Sequence, residues 1–166
     1  MRSSAIGVVM PGTPGLLAAA AEPVYWLTVA ATLMLVAAAV VLHYEGLERL
    51  NRAISRWQMP PRLRILGLIF CIITLHTAEI WIFGLGIYAV ASHPAFGAIG
   101  GADTPQLLDA VYLSTTTYTT VGYGDLVPHG PLRLILGSEA LTGFVLLTWS
   151  ASFAYIEMQR YWHGER

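Results

Sequence analysis

Apolar residues are gathered in long blocks along this chain, separated by shorter polar connections. Residues 24–42 run for 19 positions without a charge, after Glu22 and Pro23 and before His43-Tyr44-Glu45. A second block, 65–91, is interrupted only by His76 and Glu79. A third, 132–156, carries Arg133 near its start and Glu139 inside it. A helix crosses the hydrocarbon core with about 20 apolar residues, so the pattern predicts three membrane-spanning helices. An odd number of spans puts the two termini on opposite sides.

In the connection 44–64, Leu47, Leu50, Ile54 and Trp57 recur at helical spacing while Arg49, Arg52 and Arg56 lie off that face. This predicts a short helix lying on the membrane surface, ended by Pro60-Pro61, with a solvated linker as the alternative. Arg62 and Arg64 bring this connection to five arginines, whereas residues 91–132 hold no Arg or Lys. Short cytoplasmic loops accumulate positive charge. The 44–64 connection is therefore expected inside and the long connection outside, with the amino terminus outside and the carboxyl terminus, residues 157–166, a short cytoplasmic tail. Arg2 alone argues the other way. Residues 1–23 read as an external arm; a cleaved signal peptide is the alternative, offered by Ala18-Ala19-Ala20-Ala21 but opposed by the break at Pro11-Gly12-Thr13-Pro14-Gly15.

Composition agrees with the spans. Of 166 residues, 55% are hydrophobic and 11% charged, against about 25% charged in an ordinary soluble domain. The net charge of -1 gives no sign of a nucleic-acid partner. Cys71 is alone and cannot form an internal disulfide; among Phe70, Ile72 and Ile73 it is expected to pack as a small hydrophobe. No nucleophile or metal motif points to an enzyme, and no cofactor is expected.

Between the second and third blocks a loop of Gly, Pro and Asp leads to Thr104, a helix cap, and Pro105, a first helical residue. A helix over 105–118 would be about 21 Å long, enough to enter the bilayer without crossing it. It runs into Thr119-Thr120-Val121-Gly122-Tyr123-Gly124-Asp125. This run resembles the selectivity filter of potassium channels. The resemblance covers residues 65–156, as outer helix 65–91, pore helix 105–118, filter 119–125 and inner helix 131–156. The first span, 24–43, lies outside it.

The resemblance implies an all-α integral membrane protein: three transmembrane helices, a re-entrant pore helix and a filter loop, assembled as a homotetrameric pore in the plasma membrane. It implies passive, selective conduction of K+, bound by the backbone carbonyls of Thr120, Val121, Gly122 and Tyr123 and by the Thr120 hydroxyl. Gly122 and Gly124 tolerate positive φ and so let successive carbonyls face one axis. Thr119, Asp125, Tyr112 and Thr116 would support the filter. Several family members have a pair of Trp where this chain has Tyr112 and Leu113, and some have a Glu where it has Thr116. Gly143 matches the family's hinge glycine, with close helix packing as an equal alternative.

His76 and Glu79 lie one helical turn apart, and Glu139 is in the third span. Ionisable groups in a membrane are expensive and point to function. Three readings stand: a proton sensor, a metal site short of a second His or a Cys, and a satisfied hydrogen-bond network. No span carries Arg at every third position, so the usual voltage sensor is missing. Alternatives to a selective channel are a less selective cation channel, a transporter subunit, which usually needs four pore repeats where this chain has one, and an intramembrane enzyme using His76, Glu79 and Glu139. The first span is expected to face lipid around the pore, with a seat for an accessory subunit as the alternative.

Overall fold

The structure, a computed structural model, describes residues 22–54, 56–101, 104 and 106–162. Almost all of the expected external arm lies outside the described residues. Three long helices dominate: α1, Pro23–Ile54; α2, Pro61–Ala91; and α4, Leu132–Trp162. Each is long and apolar enough to cross a membrane. A 12-residue helix, α3, Leu107–Tyr118, sits between α2 and α4. At about 18 Å it enters such a layer without spanning it. A short 3-10 turn, Pro94–Phe96, and two two-residue strands complete the outer connection. Strand β1, Ile99–Gly100, pairs antiparallel with β2, Val127–Pro128, in the register Ile99 opposite Pro128.

The expected surface helix does not exist as a separate element. α1 continues through His43-Tyr44-Glu45 to Ile54, because no helix breaker intervenes and the buried stripe stays in phase. Thr28, Thr32, Ala39, His43, Leu47, Leu50 and Ile54 are its buried residues, spaced by threes, fours and a seven as one helix face requires. Leu47, Leu50 and Ile54 bury against Leu68 and Ile72 of α2 rather than against lipid headgroups. On the outer face Arg49 pairs with Glu45 and Arg52 with Glu48. At 32 residues, about 48 Å, the helix exceeds the hydrocarbon core of about 30 Å.

Pro60 and Pro61 open α2 instead of ending a surface helix: Pro60 is its N-cap and Pro61 its first residue. Proline suits that position because its φ is already helical and the N–H it lacks would have no partner. Arg64 on the first turn of α2 reaches back to the C-terminal carbonyl of α1, its Nε 3.0 Å from Ile54 O. The start of α3 also differs from expectation. Gln106, not Thr104, is the N-cap, and its backbone N–H donates to Asp109 Oδ2 at 2.8 Å. Cys71, expected to pack, is exposed on α2. The carboxyl-terminal tail expected from residue 157 is helical to Trp162.

The main core forms where α3 is held between α2 and α4. Phe83 and Ile87 of α2, Leu113 and Tyr118 of α3, and Ile135 and Leu146 of α4 are buried together. Small residues let the backbones approach, as is usual between membrane helices. A Cβ on Gly84 of α2 would lie 2.9 Å from Val111 Cα, and one on Gly143 of α4 would lie 2.2 Å from Tyr118 O. Gly143 is thus occupied by packing against the end of α3, and α4 runs through it without interruption.

Candidate functional site

The 119–126 segment hangs from the last turn of α3. Thr119 N donates to Thr115 O at 3.2 Å, Thr120 N to Thr117 O at 2.9 Å, and Gly122 N to Thr116 O at 3.0 Å. Thr116, expected to support the filter, holds the segment to α3 through its backbone carbonyl, which accepts from Gly122 N; its hydroxyl bonds Leu113 O at 3.0 Å. Thr115 and Thr119 likewise return their hydroxyls to α3, to Val111 O and Thr115 O. Such back-bonding fills the donors of three threonines in an apolar setting.

Thr120, Gly122 and Gly124 have φ of 60, 56 and 81°, whereas Val121 and Tyr123 do not have positive φ. Left-handed residues at alternate positions turn successive peptide planes the same way, so carbonyls gather on one side and N–H groups on the other. A Cβ on Gly122 would meet nothing within 4 Å. Its glycine therefore answers to the backbone angle and not to crowding. At the far end of the segment Tyr112 Oη donates to Asp125 Oδ2 at 2.9 Å, tying the middle of α3 to the exit of the loop. Val121 and Tyr123 are 54% and 73% exposed, so this chain covers little of the side chains that flank the glycines.

The expected cluster of His76, Glu79 and Glu139 is divided in the structure. Glu79, fully buried, is shared by three partners from three helices. His43 Nδ1 on α1 lies 2.8 Å from its Oε1, His76 Nδ1 on α2 lies 2.9 Å from its Oε2, and Tyr118 Oη on α3 donates to the same Oε2. His76 Nδ1 is also 3.0 Å from Tyr118 Oη. Tyr118 is the residue immediately before the loop. His43 was missed in the sequence because it stands at the end of an apolar run and reads there as a boundary. Its membership of the buried stripe of α1 was the available signal.

Glu139 is buried elsewhere, against Ser114 of α3. Ser114 Oγ lies 2.9 Å from Ile80 O of α2 and also bonds Glu139 Oε1. A hydroxyl has one hydrogen, so both bonds are filled when Glu139 carries a proton and donates to Ser114, which donates to Ile80. Glu139→Gln supplies the same donor from an amide and should leave thermal stability within about 1 kcal/mol of the parent. Ser114→Ala removes the middle of the chain and should cost about 1–3 kcal/mol, because it leaves buried polar atoms unpaired. Melting of the two purified variants distinguishes them; equal destabilisation would contradict the relay.

The family model described as ion channel matches residues 75–160, just over half of the chain and all of α3, the loop and most of α4. The chain belongs to the ion channel family. Within this channel the matched region is the two-helix pore module, and α1 stands before it. The channel is 38% identical over 79 residues to two pore potassium channel a of Oryza sativa subsp. japonica, covering 48% of this chain and 20% of that protein. It is 35% identical over 75 residues to the inward rectifier potassium channel Kirbac3.1 of Paramagnetospirillum magnetotacticum, covering 45% of this chain and 25% of that one. Protein LctB of Geobacillus stearothermophilus is 40% identical over 53 residues, 32% of this chain and 40% of the relative. The channel thus spans a quarter or less of the first two relatives. No solved structure matches it. The family is one of channels and not of enzymes, and its helices make it a multi-pass membrane protein.

Proposed function

We propose that this chain assembles as a homotetramer into a potassium-selective channel that conducts K+ passively. The observation that carries the reading is the run from Thr120 to Gly124, in which the left-handed residues fall at alternate positions. Such a strand presents a row of carbonyl oxygens, and a dehydrated K+ needs oxygens to replace its hydration shell. One strand surrounds nothing, so closing the ring takes four chains about an axis. The exposure of Val121 and Tyr123 supports this, because a neighbouring subunit would cover them. The relatives named as potassium channels support the choice of ion.

Thr120, Val121, Gly122 and Tyr123 would offer their carbonyls, with the Thr120 hydroxyl at the inner end and Gly124 completing the backbone path. Thr119 and Thr116 would hold the strand to α3, and the Tyr112–Asp125 bond would hold its outer end. The carbonyl end of α3, carrying partial negative charge, would favour a cation below the filter. In the plasma membrane the arginine-rich 44–64 connection would face the cytoplasm, and the filter would open outward.

Reconstitution into liposomes tests the reading. Flux driven by a K+ gradient should be blocked by barium and should be absent with Na+. Equal passage of both ions would contradict selectivity.

A further inference from the structure

Glu79 and the three groups around it, His43, His76 and Tyr118, have a use apart from the 119–126 loop. His43 Nδ1, His76 Nδ1 and a Glu79 oxygen lie within 4.8 Å of one another, all in buried residues. Tyr118 Oη closes the set, since it touches both His76 Nδ1 and Glu79 Oε2. Ligand atoms from three helices therefore gather about Glu79, where the sequence alone offered only one histidine. We propose that His43, His76, Glu79 and Tyr118 form a divalent-metal site of zinc type, clamping α1 and α2 to the end of α3.

The donor set suits such an ion. Two imidazole nitrogens, a carboxylate and a phenol oxygen are ligands of the hardness zinc accepts, in the number its tetrahedral sites require. A metal at about 2.1 Å from each would set its ligands about 3.4 Å apart. The hydrogen-bonded pairs, 2.8–3.0 Å apart, would open by a few tenths of an ångström, and the ligand atoms of His43, His76 and Glu79 already lie within 4.8 Å of one another.

Charge balances as well. Zn2+ with the Glu79 carboxylate and the Tyr118 phenolate, beside two neutral imidazoles, is uncharged, which a low-dielectric interior favours. On binding, the Tyr118 O–H bond breaks, its proton leaves to solvent, and the oxygen's pair goes to the metal. Each imidazole then carries its hydrogen on Nε2. His43 Nε2 and His76 Nε2 have no hydrogen-bond partner among the described residues, so each can take up the hydrogen that Nδ1 now shares with Glu79, and the two Nδ1–Glu79 hydrogen bonds give way to bonds to the metal. Replacing the shared hydrogens by one ion would join α1 to Tyr118, next to Thr119. Metal binding itself stands whether or not the filter conducts potassium.

The test is zinc titration of the full chain in detergent, with metal content measured after desalting. About one zinc ion per chain is expected, together with a rise in melting temperature. Cobalt in place of zinc should give the visible absorption of a four-coordinate site. Both signals should fall to background in Glu79→Gln and in His43→Gln; the second keeps the carboxylate with two of its partners and serves if the first fails to fold. Tyr118→Phe should weaken binding. A folded parent protein that retains no zinc would overturn the proposal. So would equal retention by both variants, which would assign the metal to exposed histidines such as His93 or His129.

Discussion

Gly122→Ala is expected to abolish potassium flux while leaving the protein folded and assembled. The added Cβ meets no atom within 4 Å in its own chain, so no packing is lost and the melting temperature should change little. The penalty is conformational. At φ 56 a residue with a Cβ is disfavoured by about 1–2 kcal/mol, and each of four strands would bear it at the same level of the pore. Relaxing toward negative φ turns the adjoining peptide and takes its carbonyl out of the row. Thr120 shows that one such residue can be held, at φ 60, where its N–H bonds Thr117 O at the end of α3. Gly122 stands further from that anchor, between two exposed side chains. Flux and melting of the same preparation decide the matter: normal selective flux through Gly122→Ala would refute the assignment of the filter.

Gly143→Ala should do the opposite, damaging the fold before it damages the pathway. Its Cβ would lie 2.2 Å from Tyr118 O and 2.9 Å from Tyr118 C, both backbone atoms at the end of a helix. Neither can move without displacing the start of the 119–126 loop. Overpacking of this kind costs about 1–3 kcal/mol per site. The expected result is a clear fall in melting temperature, with flux reduced in proportion to the loss of assembled protein. A hinge would behave differently, since a helix accepts alanine well; the variant would then melt like the parent and differ only in how often it opens. Parent-like melting of Gly143→Ala would therefore contradict the close packing of α3 on α4.

Much of this was legible in the sequence because two strong signals need no tertiary context. Uninterrupted apolar length marks the spans, and the TTVGYGD run of residues 119–125 marks the loop. What the sequence hid depends on phase and on neighbours. The buried stripe of α1 passes through His43, yet a polar residue at the end of an apolar run reads as a boundary, so the expected span stops at residue 43, about three turns short of Ile54. The face of Leu47, Leu50 and Ile54 looked suited to a membrane surface because periodicity shows that a face is apolar and not what covers it; Leu68 and Ile72 cover it. Glu79 and Glu139 looked like one cluster because both are acidic residues in apolar spans. They are separated because each found its own donors on α3, Tyr118 for one and Ser114 for the other. Those donors are unremarkable in sequence, and only the packing of α3 between α2 and α4 assigns them.

The most direct test of the central claim is the reversal potential of the purified protein in a planar bilayer with K+ on one side and Na+ on the other. A filter lined by the carbonyls of residues 120–123 predicts a potential strongly displaced toward the value at which K+ alone would be at equilibrium, and current that barium blocks. A potential near zero with sustained barium-sensitive current would show that both ions pass, and would contradict the account of the site as a potassium filter.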